Sequence, residues 1–302
     1  IGGGKRGVVS TCCYIARMYG VHSAMPMFLA LRSCPDAVVI RPNMAKYQKV
    51  GYEVRDLMSQ VTEAVEPVSI DEAYLDLEHY LTGGLEPPAV ALIHLVRRLE
   101  AELRITASIG LGPNKFLAKL ASDLDKPRGF SLIGATEARA FLAPMSVTKI
   151  WGVGPALSRR LAEAGINKIG QLQTRSEEEL VTRFGSIGRR LSQFSVGEDT
   201  RTVGTKTVRK SISAETTFEY DLFSFSEINE TLHGLCKRVS DRLQRANTAG
   251  YAIVLKLKTS DFQLRTRTAS LSYPTQRADL IYETGTALLT KELDGKTKFR
   301  PA

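Results

Sequence analysis

The stretch VSIDEAYLDL, residues 68–77, sets two adjacent carboxylates, Asp71 and Glu72, in the middle of a run rich in strand formers. An exposed pair of like charges repels and a buried pair is costly, so the pair needs a partner charge or a turn. Neighbouring residues on a straight strand point to opposite faces, so both acids serve one cation only where the chain bends, as where two strands meet in a hairpin. Two readings stand: a solvated hairpin tip, and an oxygen-rich site for a hard divalent cation. Mg²⁺ is commonly held by a few carboxylates with substrate phosphates completing its shell, and two such ions stabilise the attacking and leaving oxygens of phosphoryl transfer.

Around this stretch helix and strand signals alternate. A helix is predicted over 46–63 and another over 88–103, where Leu92, Leu95, Val96, Leu99 and Leu103 recur at the spacing of one buried face. A strand over 105–111 leads through Gly110 and Gly112 into a helix from Asn114 to Leu124. Upstream, a strand over 7–11 precedes helices at 14–19 and 26–32. From 134 to 197 the strand signals stop, and short helices separated by glycines take over. The segment EDTRTVGTKTVRK, 198–210, reads as an extended basic linker. Beyond it come a strand at 212–218, a helix at 226–245, strands at 251–258 and 262–271, and a helix at 277–293. The pattern is α+β and, over 302 residues, multidomain.

The net charge of +9 favours a polyanionic partner such as nucleic acid or an acidic membrane surface. No apolar run is long enough to span a membrane, so no membrane role is expected. Cys12, Cys13, Cys34 and Cys236 form no C-x-x-C pair and no zinc-type cluster, which fits a reducing, cytoplasmic setting. Cys12 and Cys13 are read as packing residues. The chain opens Ile1-Gly2-Gly3-Gly4 with neither Met nor a cleavable signal, and is expected to begin inside a longer protein.

Further candidates flank the acid pair. The turn into the helix at Asn114 offers amides to a phosphate, but G-x-x-x-x-G-K-[ST] is absent and a P-loop is disfavoured. Lys126, in DKPRG, is either a solvated charge or a phosphate ligand. Tyr14 and Arg17 share a helix face with Thr11 near the helix start, an arrangement that would grip phosphate oxygens and equally reads as an N-cap with a surface pair. WGVGPALSRR, from Trp151, is echoed by FGSIGRRL, from Phe184: each has a glycine turn and paired arginines, read either as a backbone-phosphate hairpin or as an ordinary helix connection. In the last region Ile253, Leu255 and Leu257 alternate with Lys256 and Lys258. Arg265 and Arg267 are expected to continue that basic face on the next strand, outward toward a polyanion.

Together GVVSTCCYIARMYGVHSAMP, VSIDEAYLDL, SIGLGPNKFLAKLASDLDKPRG, KIWGVGPALSRRLAEAGI and VRKSIS resemble the Y-family translesion DNA polymerases, in particular the bacterial DNA polymerase IV (DinB-type) group. The resemblance covers nearly the whole chain in one order. It implies a right-hand polymerase with fingers (1–45), palm (46–133), helix-hairpin-helix thumb (134–200), basic linker (201–210) and an α/β little finger (211–302) lacking its final strand. It also implies low-fidelity, template-directed addition of dNMP from dNTP to a primer 3′-OH with two Mg²⁺ ions.

By the same resemblance Asp71 and Glu72 are catalytic metal ligands, and Thr11, Tyr14, Arg17 and Lys126 hold the triphosphate. Ser10, Cys12 and Met25 roof the nascent base pair. Gly152, Gly154, Gly185, Gly188, Arg209, Lys210 and Ser211 contact DNA. Implied partners are primer–template DNA, dNTP and a sliding clamp whose binding tail is not seen, the polymerase acting as a monomer. The family's first metal motif, Asp-x-Asp, and its sugar gate are expected upstream of Ile1, so the chain as given is expected to extend primers weakly or not at all. The rivals are a non-catalytic DNA-binding relative and a helix-hairpin-helix repair nuclease or glycosylase.

Overall fold

The acid pair sits in a hairpin. Strands β1 (Val65–Pro67) and β2 (Ala73–Leu75) pair antiparallel with Glu66 opposite Tyr74. Across the bend the amides of Val68 and Ser69 donate to the Glu72 carbonyl at 2.8 and 3.2 Å. The structure, a computed structural model, describes every residue except 5, 84–85, 205–208, 219, 294–296, 298 and 301–302. Part of the expected basic linker (205–208) and Lys298 of the terminal segment therefore lie outside the described residues. The chain divides into two compact units: Asn43–Thr207, and Ile1–Pro42 together with Val208–Ala302. No helix is long and apolar enough to cross a membrane among the described residues.

The first forty-two residues supply α1 (Tyr14–Met18) and α2 (Met27–Ser33) around a small core of Val9, Ala16, Val21, Met27 and Ala30. The strand expected over 7–11 shrinks to a single bridge, Val8 to Pro26, because Pro26 has no N–H with which to extend a ladder.

In the unit Asn43–Thr207, α3 (Met44–Ser59) and α5 (Pro88–Leu103) follow the expected pattern, while the short α4 (Glu78–Thr82) was not expected. Leu57, Leu77, Leu92, Leu95 and Leu99 are buried together. Strand β3 (Ile109–Leu111) is shorter than expected. It leads through α6 (Lys115–Ser122) to a parallel partner that the sequence analysis missed, β4 (Phe130–Leu132). Gly110 allows this return: a Cβ there would lie 1.9 Å from the Ala118 carbonyl oxygen. Asn114 caps α6 by accepting from the Leu117 amide at 3.0 Å.

The remaining helices are α7 (Ala138–Leu142), α8 (Pro155–Glu163), α9 (Ile169–Leu172), α10 (Glu177–Phe184) and α11 (Ile187–Ser195). Their core is continuous with α6, whose Phe116, Leu117, Leu120 and Ala121 are buried among Leu142, Leu161, Leu180 and Phe194. The Phe116 and Phe194 rings stack at 4.4 Å. After α11 the chain is strapped down rather than free. Gly197 O accepts from Asn114 Nδ2 at 2.7 Å, and Asp199 accepts from the Phe116 amide at 3.0 Å and from Arg201. Arg201 lies over the Trp151 ring at 5.4 Å, and the Gly204 amide donates to Glu66 at 2.5 Å. The first half of the expected linker is thus docked.

In the last region α12 (Phe225–Arg245) and α13 (Ala278–Thr290) cover a sheet of order β6 (Leu264–Thr275), β5 (Gly250–Thr259), β7 (Phe299–Arg300). The strand expected at 212–218 does not form. Ile212 and Phe218 still pack on the core, while β5 pairs with β6 on one edge and with β7 on the other. The expected basic face is also corrected. Arg265 pairs with Leu257 and Arg267 with Leu255, and directly opposed residues of an antiparallel pair share a face. Both arginines therefore lie on the helix-packed side, where Glu292, 7% exposed, takes Arg267 at 2.6 Å and Arg265 at 3.8 Å. Lys256 and Lys258 share the open face with Val254, Leu264, Thr266 and Thr268.

Candidate active site and nucleic-acid contacts

The hairpin turn presents Asp71 to solvent, its Oδ1 accepting from Ser69 Oγ at 2.6 Å. Glu72 turns the other way, toward α6, where Lys119 Nζ donates to its Oε1 at 2.8 Å. Lys119 also meets Asp123 at 3.3 Å, and Asp123 meets Lys126 at 2.6 Å. Acid and base thus alternate without a break from Glu72 to Lys126. Burial alone would lower the Lys119 pKa, but Glu72 and Asp123 outweigh it and raise it. Burial alone would raise the Asp123 carboxyl, yet Lys126 and Lys119 hold it below its ordinary value. Beneath the turn, Glu66 accepts from Lys115, whose ammonium lies 5.3 Å from the Tyr74 ring. Sequence reading passed over Lys115, Lys119 and Asp123, although with Lys126 they recur at i, i+4, i+8 and i+11, one stripe along and just beyond α6.

The chemistry of Asp71 and Glu72 suits a hard cation, but their number does not suit a pair of them. Six oxygens are the usual demand of Mg²⁺. One of these two carboxylates is already held by a lysine, and no group of three His, Cys, Asp or Glu positioned for a metal occurs among the described residues. The turn itself holds two carboxylates, one open to solvent and one on Lys119.

In the other unit, Arg17 stacks on Tyr14, its guanidinium 5.6 Å from the ring centre, on an exposed helix face. Thr11 is exposed and does not cap α1, whose N-cap position falls on Cys13. Cys12 packs against the small core and its Sγ donates to Val21 O at 3.2 Å, whereas Cys13 is exposed, so the packing expected of both cysteines holds for one. Met25 packs against the same small core, while Ser10 is exposed.

The profile of the impB/mucB/samB family matches residues 1–123, its helix-hairpin-helix motif 135–166 and its C-terminal domain 209–300. DNA polymerase IV of Brucella melitensis is 55% identical over 99% of this chain and 67% of that protein. DNA polymerase IV of Caulobacter vibrioides is 46% identical over 98% of this chain and 73% of that protein. The chain belongs to the Y family of DNA polymerases. A solved Y-family polymerase chimera built on Dbh matches with a TM-score of 0.90 at 26% identity, over 99% of this chain and 86% of its own. The insertion ternary complex of Dbh DNA polymerase matches at 0.66 and 25%, over 100% and 88%.

In this Y-family polymerase the two glycine hairpins differ. Gly152 has φ +98° and Gly154 opens α8 with empty space where a Cβ would sit, so their backbone is open to approach. Gly188 is buried inside α11, where a Cβ would lie 2.3 Å from Leu180, and its amide bonds to Gly185 O at 2.8 Å. The amide of Gly185 is likewise taken, by Val181 O at 2.8 Å. Gly185 itself is exposed, with φ +77° and empty space where a Cβ would sit, so the two hairpins differ at Gly188, which serves helix packing. Arg209, Lys210, Ser211 and Lys256 are exposed, and Lys258 lies 5.4 Å from the Phe262 ring.

Proposed function

We propose that this chain carries out the nucleotidyl transfer of a translesion polymerase, joining the α-phosphate of a dNTP to a primer 3′-OH, with the hydroxyl proton lost and pyrophosphate leaving. The observation that carries the reading is the unbroken chain Glu72–Lys119–Asp123–Lys126, which ties the acid turn to a lysine suited to a triphosphate. Asp71 and Glu72 supply carboxylates for Mg²⁺, which as a Lewis acid stabilises charge on the transferring phosphoryl group. Lys119 fixes the direction of Glu72. Lys126, with Thr11, Tyr14 and Arg17, holds the triphosphate; Ser10, Cys12 and Met25 roof the base pair. Gly152, Gly154, Arg209, Lys210, Ser211, Lys256 and Lys258 contact the DNA backbone. Action as a monomer in the cytoplasm, recruited by a sliding clamp, belongs to the same reading.

Two carboxylates make a thin shell for two ions, so the 302-residue chain is expected to extend a primer weakly. The test is a gel assay of a labelled primer–template with Mg²⁺, using the chain and Asp71→Ala. Weak extension abolished by Asp71→Ala supports the assignment. Incision of the DNA would replace it with a nuclease. Binding without any extension would favour a DNA-binding relative. Extension as fast as that of the Brucella relative would refute the thin-shell argument.

A further inference from the structure

The end of α12 and the coil before it enclose a cleft of about 680 Å³ lined by Arg209, Arg242, Arg245, Ala246, Asn247 and Thr248. The three arginines are exposed, and none forms an ion pair among the described residues. Arg242 donates to the Ser213 carbonyl, which fixes its position without neutralising it. Asp241, its neighbour on the helix, forms no ion pair with it or with Arg245. Complementing the negative end of the helix accounts for Arg242 and Arg245, but not for Arg209, which arrives from a separate segment. Three guanidinium groups around one concavity repel until an anion enters. Their planar forks match phosphate oxygens, and Asn247 and Thr248 add hydrogen-bonding groups of the kind that fix backbone phosphates. With Arg265 and Arg267 paired to Glu292, the open sheet face keeps Lys256 and Lys258, and this cleft adds three further cations.

We propose that Arg242 and Arg245, with Arg209, form a clamp for DNA backbone phosphates; the proposal rests on the polymerase reading above. The ligand is the sequence-independent phosphodiester rather than a free anion. Binding of the 302-residue chain to a labelled primer–template duplex, followed by anisotropy across a salt series, tests it. Removing one cation that pairs with a phosphate flattens the plot of log affinity against log salt by about 0.9. Arg242→Ala/Arg245→Ala is expected to flatten it by about 1 to 2 and to weaken binding roughly tenfold or more at about 0.1 M salt. Arg242→Lys/Arg245→Lys is expected to restore the slope. Arg245→Ala alone, expected to flatten it by about 0.9, decides the matter should the double variant unfold. An unchanged slope overturns the clamp, as does weaker binding at constant slope, which would mark the arginines as structural. Displacement of the duplex by inorganic pyrophosphate from wild-type chain but not from the double variant would overturn the backbone assignment in favour of a free anion. Wild-type chain that fails to bind duplex, or binds without salt dependence, sinks the polymerase reading itself.

Discussion

Glu66→Gln removes the one carboxylate shared by Lys115 and the Gly204 amide. Lys115 is 7% exposed and Glu66 23%. Breaking a fully buried pair costs roughly 3–5 kcal/mol by leaving the other charge uncompensated. The exposure of Glu66 and the Tyr74 ring beside the ammonium, worth about 0.5–1 kcal/mol, bring the expectation to about 2–3 kcal/mol. Trp151 is the only tryptophan of the chain and touches Arg201 of the strap, so its fluorescence in a urea titration follows this unit. Burial alone would raise the Glu66 carboxyl, but the bonds from Lys115 and Gly204 outweigh it and set its pKa below the ordinary 4.5. A depressed folded pKa gives stability that is complete above the unfolded value and lost as pH falls through the folded one. The gap between wild type and Glu66→Gln should therefore be full at neutral pH and close as the pH drops below 4.5. Glu66→Leu/Lys115→Met should recover much of the loss, because a well-packed apolar pair replaces a desolvated ionic one. A gap at neutral pH under about 0.5 kcal/mol, or one that widens in acid, would refute the reasoning.

The sheet correction gives a second expectation: Arg267→Ala should lower thermal stability by about 1 kcal/mol through the loss of Glu292's nearer partner, Arg265 remaining at 3.8 Å. The salt slope of DNA binding should stay as it is, and a slope reduced by a whole unit would return Arg267 to the DNA face. Gly188→Ala should cost about 1–3 kcal/mol in the same unfolding assay, since its Cβ would press on the Leu180 backbone. An unchanged midpoint would mean that α10 and α11 are not closely packed there.

Period and punctuation made much of the architecture legible. The leucine spacing of α5 and the Asn114 cap of α6 mark their own positions, because each is a local pattern with a local cause. The bend follows from charge and strand geometry together: two neighbouring acids need a partner charge or a turn, and they serve one cation only where the chain bends. Other features failed for equally specific reasons. β4 is three residues long and takes its identity from β3, twenty-one positions earlier, so no local signal fixes it. Residues 212–218 alternate as a strand should, but alternation records which side chains face a core and not whether the backbone joins a ladder. Arg265 and Arg267 were misplaced because strand parity within β6 says nothing about its register with β5, and a single step between strands inverts the face. Lys119 was overlooked because a lysine on a helix reads as solvated until the acid opposite it is known.

Helix α6 is rooted by Phe116, Leu117, Leu120 and Ala121 in the core of the glycine-punctuated helices, while Lys119 and Lys115 on its polar side grasp Glu72 and Glu66. One rigid rod therefore has its handle among the helices that follow and its jaws on the acid-bearing loop. Eight residues of backbone thus form a single strut between the helical core and the two carboxylates, with apolar burial at one side and ion pairs at the other.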